Sequence, residues 1–167
     1  DIVREYGADT MRVYEMFMGP LEASKPWSTR GIAGSKRFLD RIWRAAELPL
    51  TDEEPAQEHM RVLHKTIKKV SHDTGRLEFN TAIAQMMIFL NEVGGLESMP
   101  RKLWTPFVLL LSPYAPHLAE ELWMKLGHEP SIARQPWPEW IEALTAEDLV
   151  EVVFQINGRI RAKESFP

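Results

Sequence analysis

The sequence predicts an all-α fold, an antiparallel helical bundle that ends in a short β-hairpin. Three observations lead to this prediction. Apolar residues recur at helical spacing from the start of the chain to about Gly127. Gly and Pro interrupt the pattern at intervals that suit short turns between antiparallel neighbours. After Gly127 the pattern changes: Val150 to Ile156 is a β-branched, aromatic run, and the Asn157-Gly158 pair that follows it is a strong signal for a two-residue hairpin turn.

Two helices are predicted before residue 50, with a connector between them. The first begins at the start of the chain and stops at Gly19-Pro20. Residues 20 to 30 form a connector rich in Pro, Ser and Gly. Ser28 or Thr29 then offers an N-cap for a second helix that runs to about residue 48.

Four more helices are predicted after an acidic loop from Pro49 to Pro55. Glycine and proline mark most of their ends, and Asn80 is expected to cap the second of the four. Their expected limits are, in order, the loop to just before Gly75, Asn80 to Gly94-Gly95, Pro100 to Ser112-Pro113, and about Ala115 to Leu126. A proline-broken loop over 128 to 140 leads to the hairpin.

The composition is typical of a globular domain. The chain has 167 residues, 44% of them hydrophobic and 26% charged, which is enough to bury a core. No apolar run approaches the roughly 18 residues of a membrane span, and no secretory leader is visible; we therefore expect no membrane contact and a cytoplasmic location. The absence of cysteine excludes disulfides and thiolate metal sites. A net charge of −4 still allows a local basic surface.

The best candidate for function is a basic face on the second predicted helix. Arg37, Arg41 and Arg44 fall within about 60° of one another, while Phe38 and Ile42 occupy the opposite side. Like charges at this spacing cost a few tenths of a kcal/mol per pair, and guanidinium forks pair well with phosphate oxygens. The pattern indicates either an anionic partner or a solvated face whose arginines pair with acids of a neighbouring helix.

Other clusters of ionisable residues favour structural explanations. A basic run on the third predicted helix is typical of the solvated side of an amphipathic helix; its members are His64, Lys65, Lys68, Lys69 and His72. His117 lies four residues before Glu121, which we interpret as stabilisation of a helix start by nearby acids. The histidine spacings match no helical metal-ligand pair, and no nucleophile or phosphate-loop motif is found. We expect neither a catalytic nor a metal site here.

Several segments resemble one group of enzymes, the class I aminoacyl-tRNA synthetases for leucine, isoleucine, valine and methionine. YGADTMR at 6–12 resembles the segment that follows their K-M-S-K-S loop. EFNTAIAQMMIFLN at 78–91 and LLLSPYAPHLAEELWMKLG at 109–127 resemble helices of their anticodon-binding domain. RFLDRIW at 37–43 and VVFQINGRIRAK at 152–163 are most similar to the leucine enzymes of bacterial type.

The resemblance implies three parts: residues 1–30 as the end of a stem-contact region, 31–148 as the helical anticodon-binding-type bundle, and 149–167 as the truncated start of a C-terminal domain. It implies a parent enzyme that joins leucine to leucine tRNA with ATP and Mg²⁺, and whose catalytic part lies outside this chain. We therefore expect no cofactor in these residues. The implied partners are tRNA and the remaining domains of the same enzyme, and we expect a monomer.

The same resemblance implies a role for the basic face. Arg37 and Arg41 match basic positions of the helix that faces tRNA, and Lys36 and Arg44 are further candidates. Their implied role is contact with phosphates, which orients the tRNA without reading its bases. Two alternatives stay open. One is the equivalent domain of a valine, isoleucine or methionine enzyme; the other is a helical module that docks a protein through a large apolar patch.

Overall fold

The computed structural model describes residues 2–24, 26–129, 131–146, 150–156 and 159–166. Within these ranges helices dominate, which confirms the predicted all-α bundle. The elements are α1 (Ile2–Tyr6), α2 (Ala8–Phe17), α3 (Thr29–Ala45), β1 (Leu50–Thr51), α4 (Gln57–Gly75), α5 (Phe79–Glu92), β2 (Met99–Pro100), α6 (Arg101–Leu111), α7 (Pro116–Lys125), β3 (Val150–Ile156) and β4 (Arg159–Phe166).

The first predicted helix is two helices in the structure. Gly7 separates α1 from α2 and has a φ of +92°, a conformation that only glycine adopts without strain. The apolar pattern continues across this break, so periodicity alone did not reveal it. The predicted end is close to the observed one, since α2 ends at Phe17.

The start of α5 differs from the prediction that Asn80 caps it. The helix begins at Phe79, with Glu78 as its N-cap, so Asn80 lies inside the first turn. The preceding turn is made by the backbone: Leu77 has a φ of +62°, and the Glu78 N–H donates to the Asp73 carbonyl at 2.8 Å. A positive φ is rare for leucine, and no residue type in this turn predicts it.

The acidic loop after α3 contains a short strand that the sequence did not predict. β1 pairs in parallel with β2, with Leu50 opposite Met99, and the Met99 N–H donates to the Pro49 carbonyl at 2.8 Å. Two-residue strands are too short to show a period of two. The pairing ties the chain before α4 to the chain before α6.

The core lies between α4, α5, α6 and α7, with α2 and α3 packed against it. Its centre is an aromatic stack in which the Phe107 ring lies 4.8 Å from that of Phe89 and 5.1 Å from that of Trp104, centroid to centroid. All three side chains are fully buried or nearly so. They come from α5 and α6, so the stack joins the two helices whose apolar spacing was plainest in the sequence.

The two C-terminal strands, β3 and β4, pair antiparallel as predicted. Ile156 is opposite Arg159, and the register shifts between Phe154 and Gln155, which marks a bulge. The predicted turn residues Asn157 and Gly158 lie outside the described residues. The predicted division at 1–30, 31–148 and 149–167 stays a prediction.

The loop after α7 packs along α4 and buries a histidine. Trp137 Nε1 donates to Ser71 Oγ at 2.7 Å, and the Ile141 N–H donates to His64 Nδ1 at 3.1 Å. His64 is only 6% exposed, so the prediction that it belongs to the solvated face of its helix is wrong. It lies on the side of α4 that this loop covers.

We expect acid to destabilise the fold through His64. Burial lowers the pKa of His64 below its usual 6.5, and its Nδ1 can accept a hydrogen bond only while unprotonated. Below pH 6.5, His64 therefore binds a proton in the unfolded chain but stays neutral in the folded chain until its lower pKa is reached. The stability from the neutral histidine is fully present above pH 6.5 and is lost as the pH falls.

The measurement is urea unfolding of the native chain and of His64→Gln from pH 7.5 to pH 5. The native chain should lose more free energy of unfolding over this range than the variant does. Equal losses in the two proteins would show that His64 does not contribute to the pH dependence, because the other four histidines are common to both.

Candidate nucleic-acid interface

The amphipathic character of α3 places its arginines on the outer surface. Ile32, Phe38 and Ile42 are buried against the bundle, whereas Arg37 and Arg44 are exposed. Helical spacing aligns the arginines along one side, as predicted. Below, we call the side that carries Arg30, Arg37, Arg41 and Arg44 the arginine face.

The structure gives the three predicted arginines different surroundings. Arg37 is exposed and has no hydrogen bond or ion pair with any described residue. Arg41 is half-buried, and its Nη2 donates to Asn91 Oδ1 of α5 at 2.7 Å. Arg44 Nε donates to the Asp40 carbonyl one turn earlier, at 3.3 Å. None of the three forms an ion pair with an acid among the described residues, so the solvated-face interpretation loses its expected partners.

Lys36 lies on a different side of α3 from the arginines. Its ammonium pairs with the Asp40 carboxylate one turn later. Both residues line a groove. Its other walls include Asp9, Trp43 and the α7 residues His117 and Leu118. The geometry therefore does not bring Lys36 together with the arginine face, and its assignment to tRNA contact stays a prediction, as do those of the arginines.

Sequence reasoning overlooked Arg30. It lies seven residues before Arg37, so it extends the same stripe by two turns to the start of α3. Its side chain is exposed and forms no hydrogen bond or ion pair with any described residue. The signal was present in the spacing, but Arg30 was assigned to the connector before the predicted helix.

Tyr14 of α2 fixes the start of α3. Its hydroxyl accepts a hydrogen bond from the Ser28 N–H at 2.8 Å, and its ring meets the edge of Trp27 at 4.9 Å between centroids. A Cβ on Gly31 would approach the Tyr14 ring to 2.7 Å, so only glycine allows this close contact. The Ser28 side chain makes no capping hydrogen bond, so it is the contact with Tyr14 that positions the backbone at this helix start.

The YGADTMR and SPYAPHL segments meet in space. Asp9 of α2 accepts from the Leu118 N–H at 2.7 Å and lies 2.7 Å from His117 Nδ1, while Arg12 donates to the Pro113 carbonyl at 2.9 Å. The carboxylate thus caps the N-terminus of α7 from another helix. The sequence interpretation expected nearby acids such as Glu121 to stabilise this helix start; the acid that contacts His117 and Leu118 is Asp9 of α2. We call these contacts the α2–α7 clamp.

The described residues hold neither a large metal-ligand cluster nor a membrane-spanning helix. No group of three or more histidines and carboxylates is close enough to hold a metal ion within this part of the chain. No helix there is both long and apolar enough to cross a bilayer. The site that the geometry offers is the exposed basic surface.

Comparison with known proteins shows the family. The model of the anticodon-binding domain of tRNA ligases matches residues 56–167, the larger part of the chain. The chain belongs to this family. The resemblance to leucine enzymes is confirmed as well: this anticodon-binding domain is 53% identical over 164 residues to a leucine–tRNA ligase of Borreliella burgdorferi (strain ZS7), and 50% identical over 174 residues to that of Rhodopirellula baltica.

The matches cover nearly all of this chain but little of each relative. They span 98% of the chain in both cases, and 20% and 18% of the two ligases. A solved structure, the ternary complex of Agrobacterium radiobacter K84 agnB2 LeuRS with tRNA and LeuAMS, has a TM-score of 0.82 and 31% identity to the anticodon-binding domain described here. That match covers 99% of this chain and 24% of the other.

Proposed function

We propose that this anticodon-binding domain grips leucine tRNA for a leucine–tRNA ligase, the enzyme that joins leucine to its tRNA with ATP and Mg²⁺. The arginine face contacts phosphates and orients the tRNA, and it reads no bases. The catalytic step and its cofactors belong to the parts of the ligase outside this chain, and we propose that the ligase acts in the cytoplasm as a monomer.

The observation that carries the proposal is that an aligned set of arginines has no acidic partner in the part of the chain that the structure describes. Exposed ion pairs contribute only about 0–1 kcal/mol, so the fold remains stable even though these arginines have no acidic partners. Four guanidinium groups aligned on one helix nevertheless repel one another unless an anion lies nearby. Phosphate oxygens fit the guanidinium fork in a bidentate way, and a tRNA backbone presents them in rows.

Two findings support leucine tRNA as the ligand. Both reported relatives are leucine–tRNA ligases, and the similar solved structure is a complex of such an enzyme with tRNA. The equivalent domain of a valine, isoleucine or methionine enzyme is thereby disfavoured. Arg41 supports the geometry, because its bond to Asn91 holds the guanidinium at the surface between α3 and α5.

The test is binding of the 167-residue chain to a leucine tRNA transcript across a series of salt concentrations. Arg37→Ala/Arg41→Ala should weaken binding about tenfold or more at low salt. Each lost phosphate contact should also reduce the slope of log affinity against log salt by about 0.9. Arg4→Ala/Arg134→Ala removes the same charge from two other exposed positions and is the matched control.

Equal effects of the two double substitutions would refute the arginine face and leave only a general charge effect. A non-cognate tRNA of the same length distinguishes phosphate contact from base reading, because we expect both tRNAs to bind equally. No binding of either tRNA at low salt would favour the protein-docking alternative for this bundle.

A further inference from the structure

A second basic surface lies next to α5. A groove of about 480 Å³ between α4 and α5 is lined mainly by cationic side chains, with the acids Asp73 and Glu78 among them, and Gln85 forms part of its α5 wall. The basic residues that line it are Lys65, Lys68, Lys69, His72 and Arg76. We call this feature the α4 groove. Its residues include most of the run that the sequence analysis set aside as a solvated face.

The α4 groove and the arginine face border the same outward side of α5. Ile88 marks the middle of that side and is 48% exposed. At about 100° per residue, Gln85 and Asn91 lie roughly 60° to either side of it. Gln85 Nε2 donates to Thr66 of α4 at 3.0 Å, whereas Asn91 accepts from Arg41 of α3 at 2.7 Å. One flank of α5 therefore adjoins the α4 groove and the other adjoins the arginine face.

The helix between the two basic surfaces carries a single charged residue on its outward side, the exposed Glu92 at its C-terminal end. No acidic or basic residue occurs from Phe79 to Asn91. The outward row of α5 consists of the uncharged Thr81, Ala84, Ile88 and Asn91, and it ends at Glu92. Packed helices lie about 8–10 Å apart, so the two basic borders are roughly 16–20 Å apart across α5. That separation suits the two strands of a duplex better than one single strand.

The ion pairs of Arg76 and Lys68 in the α4 groove leave these two cations available to another anion, whereas Lys69 is held by the buried carboxylate of Asp73 at 2.8 Å. Arg76 pairs with Glu78 at 3.3 Å, with 74% and 46% of the two side chains exposed, and Lys68 pairs with the exposed Glu142 at 2.5 Å. Surface pairs of this kind are worth about 0–1 kcal/mol. Exchange of such a carboxylate for a phosphate of a polyanion is favoured by the release of condensed counterions.

The outward side of α5 is a poor surface for a protein partner. Ile88 is its single large exposed apolar side chain, and its neighbours along the row are small or polar. A protein-docking surface is expected to present a contiguous apolar patch at its centre. Two rows of cations on either side of a strip whose one charged residue, Glu92, lies at its end fit a double-stranded polyanion instead.

We propose that α3, α5 and α4 together form one two-sided surface for a duplex segment of the tRNA. The arginine face holds phosphates of one strand, and the α4 groove holds phosphates of the other. The uncharged residues Thr81, Ala84 and Ile88 of α5 lie beneath the groove between the strands. This inference rests on the proposed function, because it assigns the second border to the same tRNA.

Two pairs of variants test the proposal in the same tRNA-binding assay. Ile88→Glu places a carboxylate in the middle of the surface and should weaken binding several-fold, whereas Met124→Glu makes the same change at a residue of α7 that is 57% exposed, and should not. Lys65→Gln/Lys68→Gln should lower the salt slope by about one to two units, and Lys102→Gln/Lys125→Gln, on α6 and α7, should leave it unchanged.

The outcomes separate this inference from the proposed function. Loss of binding in Arg37→Ala/Arg41→Ala, with Ile88→Glu and Lys65→Gln/Lys68→Gln equal to their controls, would overturn the two-sided surface and leave the arginine face intact. No effect of the arginine substitutions would overturn the proposed function and this inference with it. Ile88→Lys is a further check that no folding defect can imitate, since it should tighten binding where Ile88→Glu weakens it.

Discussion

Phe107→Ala should lower the free energy of unfolding by about 3–5 kcal/mol, the largest effect that we expect of a single substitution in this domain. Phe107 is fully buried and stacks on two other aromatic rings, so truncation removes its contacts with both of them. The space it leaves is walled by Phe89 and Trp104, large side chains from two different helices. Collapse of these helices into the cavity would disturb the rest of the core.

Urea unfolding followed by circular dichroism measures this effect. Phe107→Leu keeps most of the volume and should cost less than about 1.5 kcal/mol, which separates the cavity from the loss of aromaticity. Ile88→Ala, at an exposed site, should change stability by no more than about 0.5 kcal/mol. A cost below about 1 kcal/mol for Phe107→Ala would mean that the aromatic stack is not the centre of the core.

Asp9→Ala should cost about 2 kcal/mol, because it removes the carboxylate from the α2–α7 clamp. Hydrogen bonds to a charged group are worth about 1.5–3 kcal/mol, and loss of an N-cap side chain about 0.5–2 kcal/mol. Asp9 makes such bonds to the backbone of Leu118 and to the ring of His117. With the aspartate gone, the Leu118 N–H loses its partner at the start of α7.

Two variants serve as controls for Asp9→Ala: one at Glu121, the acid that the sequence places near His117, and one that keeps an acceptor at Asp9. Glu121→Ala removes the acid expected beside His117 and should change stability by less than about 0.5 kcal/mol, since it is exposed. Asp9→Asn keeps an acceptor oxygen and should cost about half as much as alanine. Amide exchange at Leu118 should accelerate in Asp9→Ala; equal exchange rates in the two alanine variants would show that the clamp does not hold α7.

Much of the bundle could be predicted because its helices obey local rules. The apolar periods of α4 to α7 and the glycines after them give the helices and most of their ends. The break at Gly7, the turn at Leu77 and the pairing of β1 with β2 could not be predicted in this way. Each of these depends on a backbone conformation or on a partner distant in the chain, and neither leaves a periodic signal.

The candidate site shows the same division. The exposure of Arg37 and Arg44 follows from the spacing of α3, and Arg30 could have been found by extending that spacing by seven residues. The bond between Arg41 and Asn91 could not be found, since it joins residues 50 apart in the chain. The same is true of the α4 groove. It borders the surface only because α5 packs against α4 on one flank and against α3 on the other.

The α2–α7 clamp has a consequence for the order in which the domain is made. Asp9 and Leu118 are 109 residues apart, and a ribosome adds about 5–20 residues each second. The partner of Asp9 therefore emerges roughly 5–20 seconds after the aspartate itself. Throughout that interval α2 exists without its attachment to α7. The clamp therefore cannot form until α3 to α6 have all been synthesised.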